Sequence, residues 1–459
     1  MYENMSSLLA GVQELASNWF ASLDKRPVPA SASADELRQM LGGPLPREGS
    51  DPELLAGILG SAGMRGAVAS TGPRYFGFVV GGNLPAALAA DWLVSAWDQN
   101  AGIYILAPLV SVIEEITGAW LRELAGLPPT MSFGFVTGGH MANFTALASA
   151  RHGVLRNAGW DVESDGLYGA PLVEVVASEE AHYTISTSAR FLGLGANRIR
   201  RIPTDHQGRM SVPHLAETLR SIKGPCIVCA QVGNVNTGAF DPLSEIADCA
   251  KASSAWLHVD GAFGLWASVS PERAALLRGI ERADSVATDA HKWLNVPYDC
   301  GITFCADEFI HRSAMSLPAP YIVATGNERD PHEFVPEESR RARSVPVYAA
   351  VRSLGRKGLT DLVERCCRHA RRFAEALAGA GFEVLNEVAL NQVLVSFGTP
   401  EQTQRTIAAI QEDGTCWCAG TVWKGRTAMR ISVCNWSTTE ADVEQSIEAM
   451  LRAASKHAR

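Results

Sequence analysis

Residues 283–304, ADSVATDAHKWLNVPYDCGITF, place one lysine, Lys292, between His291 and Trp293 where a strand-like run gives way to a loop. A lysine amine at such a point is a nucleophile for a carbonyl group. Upstream, AWLHVDGAFG (255–264) is an apolar run that ends in Asp260, followed by two small residues, Gly261 and Ala262. A carboxylate there can hold a basic nitrogen protonated, because an opposite charge in a poorly solvated site favours the charged form. An amine for an aldehyde and a carboxylate for a pyridine nitrogen are together what pyridoxal phosphate (PLP) requires of a protein. Taken singly, His-Lys-Trp reads equally as a strand end with a snorkelling lysine, and Val-Asp-Gly as a strand-to-turn junction. Their joint occurrence, in this order and in matching contexts, points to the cofactor.

A third element would serve the phosphate. FGFVTGGHMANFTALASAR (133–151) runs through a Thr-Gly-Gly turn straight into a helical pattern. Backbone amides of Gly139 and His140 would face an anion at the helix N-terminus, and glycine lets the backbone come close. A glycine turn before a helix also serves plain capping, so this assignment leans on its place in the chain ahead of Asp260 and Lys292.

The elements that must position these residues alternate. Apolar, β-branched runs at 171–178, 197–203, 226–232, 255–261, 284–290 and 300–306 read as strands, and stretches such as 212–223 and 242–254 read as helices between them. That alternation predicts a mostly parallel sheet covered on both faces, with ligands at the strands' carboxyl ends. After the basic cluster SRRARS (339–344) the pattern changes to two helices over 347–381, broken near Gly355–Gly358, then strand, helix, strand, helix. The expected division is an N-terminal helical arm (1–70), a large cofactor-binding domain (71–344) and a small C-terminal α+β domain (345–459).

Composition narrows the function. The 459 residues are 47% hydrophobic with a formal net charge of −9, enough chain for large cores and no basic stripe for nucleic acid. The cluster at 339–344 is expected to be solvated or paired internally. The N-terminal stretch reads as an amphipathic helix, unlike a signal peptide, and no run of about 20 apolar residues would span a bilayer, so a cytoplasmic protein without membrane contact is expected. Cys226 and Cys229 form a CxxC inside the apolar run PCIVCAQV, where a buried strand accounts for them better than a metal, and no metal site is expected.

From RYFGF (74–78) to RISVCNW (430–436) the chain resembles the group II PLP-dependent amino-acid decarboxylases, which include aromatic-amino-acid and glutamate decarboxylases. The resemblance implies a fold-type-I, aspartate-aminotransferase-like α/β architecture with a seven-stranded sheet. It implies a carboxy-lyase that removes the α-carboxylate of an L-amino acid, with Lys292 bound to PLP as an imine. It also implies that His182, in HYTISTSARFLG, stacks on the pyridine ring, and that Asn234 stands for a threonine touching the ring oxygen. Ala262 and His291 complete the cofactor set, and His140 stands where members often carry a serine. Asp289 occupies a place where some members have an asparagine near the phosphate; a carboxylate would be repelled there, so Asp289 is expected to point elsewhere or bond a backbone amide.

For the substrate, the resemblance implies a pocket from 74–82 and 97–108, with Phe76, Phe78 and Tyr104, the last reaching across a homodimer interface. Such a pocket suits an aromatic or apolar amino acid, while Asp98 would suit a cationic one. Arg430 could clamp a carboxylate in the ring plane, which keeps an aminotransferase as the alternative. Tyr321 is the one tyrosine in the segment where aromatic-amino-acid decarboxylases carry a proton-donating tyrosine on a mobile loop. Its early position leaves a decarboxylation-coupled oxidative, aldehyde-forming reaction as a further alternative.

Overall fold

The apolar runs of the central chain form one sheet of seven strands: β1 (Ser132–Val136), β2 (Glu174–Ser178), β3 (Arg200–Ile202), β4 (Cys226–Gln231), β5 (Trp256–Asp260), β6 (Ser285–Asp289) and β7 (Gly301–Cys305). The computed structural model describes residues 2–316 and 328–457. The strand order is β1-β7-β6-β5-β4-β2-β3. All neighbours are parallel except β7, which is antiparallel to both β6 and β1. Every residue of β1, β4, β5, β6 and β7 is buried, which is why these strands read as unbroken apolar runs with no alternation. The parallel arrangement brings the carboxyl ends of β1, β5 and β6 to one edge, and there the register sets Asp260 opposite Ala287.

The helix Gly139–Asn157 packs against β5, β6 and β7. Its buried face carries Ala142, Ala146, Ala148 and Ala150, small side chains that let it lie close beneath the sheet. One apolar core runs from β4–β6 through Trp266 and Trp293 to Phe373 and Val433, so buried surface is continuous past the lysine loop.

A second, smaller sheet holds four antiparallel strands, β8 (Glu383–Val384), β9 (Gln392–Ser396), β10 (Ala419–Trp423) and β11 (Arg426–Ser432), in the order β10-β11-β9-β8. β10 and β8 are additions to the sequence expectation. β10 joins β11 through Lys424 and Gly425, both with positive φ (47° and 79°), as a two-residue hairpin turn demands. The predicted break in the long helix falls at Gly355 (φ 59°, ψ −179°) within Ser344–Gly379.

The basic cluster is spent internally. Arg340 is buried against Glu114 (3.0 Å) and the carbonyl of Ala101, Arg341 pairs with Asp91 (2.7 Å), and Arg343 with Asp299 (2.8 Å). Cys226 and Cys229 lie buried in β4, and burial pushes the Cys226 thiol up to about 12. Among the described residues no helix is long and apolar enough to cross a membrane.

Candidate active site

β6 ends at Asp289, and the next three residues turn the chain so that Lys292 faces back toward the strand it has just left. Lys292 Nζ lies 2.7 Å from Asp289 Oδ2. Burial disfavours the ammonium, but Asp289, with Asp260 behind it, outweighs burial and holds the lysine above its ordinary pKa of 10.5. The turn is tightly enclosed: a Cβ on Gly81 would fall 1.9 Å from the carbonyl oxygen of Lys292, so only glycine fits there. Asn295, buried and at φ 54°, pins the turn from inside. Its amide donates to the carbonyls of Trp293 (2.8 Å) and Cys434 (3.0 Å) and accepts from the N–H groups of Gly82 (2.6 Å) and Trp436 (3.0 Å).

Asp260 stands at the end of the neighbouring strand β5. Its carboxylate accepts from the Ala262 N–H (3.1 Å) and from Asn143 Nδ2 (3.1 Å). β1 feeds the third side of the site through Thr137-Gly138, where Gly138 at φ 135° caps the helix Gly139–Asn157 and no side chain satisfies the first-turn amides. A Cβ on Gly139 would come within 2.5 Å of Asp289 Oδ2, so the bare backbone is what leaves room.

Lys292, Asp260, Asp289, Gly139, His140, Asn143, His182, Thr184 and Ala262 line one cavity, with Gln231, Gly233, Val235 and Phe263. His140 stacks on Phe191 (5.7 Å between ring centroids), and its Nε2 is buried without a partner, as is Asp289 Oδ1. His182 caps the helix Tyr183–Phe191. Burial pushes its pKa below 6.5, with Asp260, Lys292, Asp289 and Arg430 all near enough to act on it. His291 lies outside the lining, its Nδ1 accepting from the Cys300 N–H (3.2 Å) while its ring stacks on Tyr298.

These residues fit a flat ring with an anion at one end and a basic nitrogen at the other. The unfilled helix amides and the glycine cradle suit the anion, Asp260 suits the protonated nitrogen, and the amine of Lys292 is within the same cavity to meet a carbonyl.

The other residues singled out in the sequence take these positions. Asp289 does not turn away: it is the ion-pair partner of Lys292 and borders the glycine cradle. Asn234 is spent on its own turn, its oxygen accepting from the N–H groups of Asn236 (2.9 Å) and Thr237 (3.2 Å) and its amide directed at the Glu180 carbonyl, while its neighbours Gly233 and Val235 line the cavity. Phe76 is 1% exposed and packs edge-on against Phe373, a core position and not a pocket wall. Phe78 is 55% exposed at φ 52° and stacks on Trp417, which also stacks on Tyr75. Arg430 is buried on β11, its Nη1 3.5 Å from Asn236 Oδ1 and its Nε without a partner. Tyr104 lies in a short turn next to exposed Ile105 and Leu106, apart from the lining of its own chain's cavity. Tyr321 lies outside the described residues. Asn143, Thr184 and Gln231 were not anticipated; a buried asparagine inside a helix, a residue helices disfavour, was the signal available for the first.

The Lys292–Asp289 pair carries an expectation of its own. In Asp289→Asn the main opponent of burial is lost, so the lysine pKa falls and its neutral fraction near pH 8 rises about tenfold per unit of fall. Amine-specific acylation of the cofactor-free protein, followed by peptide mapping of Lys292, should be faster in the variant; an unchanged rate would remove Asp289 from control of the lysine.

The profile of the family described as "Pyridoxal-dependent decarboxylase conserved domain" matches residues 55–399. An aromatic-L-amino-acid decarboxylase of Bacillus atrophaeus is 29% identical, covering 98% of this chain and 95% of its own. An L-2,4-diaminobutyrate decarboxylase of Rhizobium meliloti (strain 1021) is 32% identical over 79% of this chain and 74% of its own. The crystal structure of Oryza sativa TDC with PLP and tryptamine shares the fold, with a TM-score of 0.93 at 23% identity across 100% of this chain and 99% of that one.

Proposed function

Because the chain belongs to the pyridoxal-dependent amino-acid decarboxylases, we propose that Lys292 binds the PLP aldehyde and that the substrate is an L-amino acid with an aromatic or large apolar side chain. The observation that carries the reading is the convergence of Lys292 and Asp260 on one cavity closed by the glycine start of a helix. Bound PLP supplies the electron sink that lets a bond at the substrate's α-carbon break. Lys292 offers the amine, and Asp260 keeps a proton on the ring nitrogen while Ala262 and Asn143 hold its oxygens in place. The amides of Gly139 and His140 receive the phosphate. His182 lies against the ring, and Arg430, poorly paired and close enough to act on His182, attracts the substrate's carboxylate. Burial around these groups keeps the departing carboxylate poorly solvated, which favours its loss.

Support for an aromatic substrate comes from the stack of Tyr75, Trp417 and Phe78, on the segment that runs on to Gly81 against the lysine turn. The Bacillus atrophaeus relative, matched over nearly the whole of both chains, agrees with it. The test is a panel of aromatic, cationic, acidic and small amino acids given to the PLP-loaded protein, with carbon dioxide, amine, keto acid and aldehyde all measured. Carbon dioxide and amine in equal amounts, fastest with an aromatic substrate, is the expected result. Keto acid without carbon dioxide would instead establish transamination, and aldehyde with carbon dioxide an oxidative reaction.

A homodimer is part of the proposal. Trp92, Leu93, Trp97, Ile105, Leu106 and Leu109 leave a large apolar area exposed on a net acidic chain, and burying it against a second copy removes that cost. Sedimentation at low concentration should show dimers; a fully active monomer would overturn this.

A further inference from the structure

Behind the cavity, side chains from four elements form one line of hydrogen bonds. Trp256 Nε1 is 2.9 Å from Ser285 Oγ, which is 3.0 Å from His258 Nδ1; His258 Nε2 is 2.9 Å from Asn143 Oδ1. Asn143 Nδ2 is 3.1 Å from both Asp260 Oδ2 and Thr184 Oγ1, and Thr184 Oγ1 is 2.8 Å from His182 Nδ1. Asn143 and Thr184 are buried, and His258 and Ser285 are wholly so.

The chemistry of each atom fixes the direction of the line. A carboxylate only accepts, so the amide nitrogen of Asn143 must face Asp260 and its oxygen must face His258. His258 Nε2 therefore carries a hydrogen. Burial pushes His258 down to about 4, so its ring is neutral and its Nδ1 accepts the Ser285 hydroxyl proton, while the indole N–H of Trp256 can only donate to Ser285. At the other end, the second N–H of Asn143 occupies a lone pair of Thr184 Oγ1, which leaves the threonine hydroxyl to donate to His182 Nδ1. The Thr184 backbone N–H also points at that nitrogen (3.4 Å). Both hydrogen bonds of His182 are thus received at Nδ1.

We propose that Asn143 is a positioning residue that uses one amide to orient the carboxylate of Asp260 and, through Thr184, to fix the tautomer of His182 with its hydrogen on Nε2. His182 then presents a donor, and never a bare acceptor, on the edge turned away from Thr184 and open to the cavity. The inference rests on the proposed placing of Asp260 and His182 against the cofactor. It explains why a helix interior spends a buried asparagine where alanines serve its other turns. The charged groups that face His182 are Asp260, Asp289, Lys292 and Arg430, and none of them touches Nδ1, so the tautomer is set by Thr184, chiefly by its hydroxyl at 2.8 Å and more weakly by its backbone N–H at 3.4 Å.

The test uses the PLP-loaded full chain with ring-15N histidine and solid-state NMR, assigning His182 by its loss in His182→Gln. Wild type and Thr184→Ser should show His182 solely as the Nε2–H form. Thr184→Val and Asn143→Leu should show both tautomers, with turnover down about tenfold and KM within about twofold, the pattern of an interaction made chiefly in the transition state. Thr184→Val changes a single hydroxyl and keeps the result decisive should Asn143→Leu not fold. A single Nε2–H form in Thr184→Val, or a Thr184→Ser variant as impaired as the valine, would overturn the proposal. The ring nitrogens report the tautomer whichever product the amino-acid panel reveals, so failure here and failure of the decarboxylase reading remain separate.

Discussion

Lys292→Ala should yield a folded protein that carries no borohydride-reducible pyridoxal and loses turnover by about a thousandfold or more. Lys292 is the only amine among the residues that line the cavity, so nothing there can take over its bond to an aldehyde. The loss combines covalent capture with proton handling, and a positioned proton-transfer group alone is worth about 10²–10⁴-fold. The substitution also releases Asp289, which would face the cradle at Gly139 as an unpaired carboxylate and weaken phosphate binding there. Cofactor affinity should therefore fall together with covalent attachment. Reduction with borohydride and peptide mapping decide the matter: reduced pyridoxal on a different lysine would refute the assignment.

Asp260→Asn should keep the cofactor on Lys292 yet lower turnover by about 10²–10³, the range for removal of one electrostatic partner from a developing charge, or about 3–4 kcal/mol. The neutral amide still accepts from the Ala262 N–H, but its NH2 then meets the Asn143 amide nitrogen donor to donor, so the loss combines the missing charge at the ring nitrogen with a broken Asn143 hydrogen bond. The measurement is single-turnover carbon dioxide release alongside the visible spectrum of the bound cofactor. Unchanged release would take Asp260 out of the reaction.

What could be read from the chain and what could not divide along physical lines. β4, β5, β6 and β7 were legible because strands buried on both faces must be continuously apolar, and their ends then marked Asp260 and the turn to Lys292. Gly139 was singled out by its place in the chain ahead of Asp260 and Lys292, since a glycine turn before a helix also serves plain capping. Asp289 was misjudged because repulsion by a phosphate was weighed without the lysine three residues on, whose ammonium gives the carboxylate a partner. Asn234 and Phe76 were placed by their neighbours in the chain, and adjacency cannot tell which way a side chain turns. Gly233 and Val235, on either side of Asn234, line the cavity, and Phe78, two residues beyond Phe76, faces solvent. Asn143 and Thr184 escaped because their roles are relational: each matters for the atom it orients, Asn143 for Asp260 more than a hundred residues on and Thr184 for its near neighbour His182. β10 escaped because Ala419 and Gly420 dilute its pattern, although Lys-Gly between two short runs was the available turn signal.

The four hydrogen bonds of Asn295 have a consequence for the order of assembly. Two of them end on residues near 435 and one on residue 82, so the lysine turn closes only when segments from far before it and far after it in the chain have both docked on it. Until then the buried amide of Asn295 lacks partners, and the turn has no reason to hold its shape. Capture of the vitamin-derived cofactor therefore waits on both dockings, and a chain cut before Cys434 would stay colourless however well its seven-stranded sheet had formed.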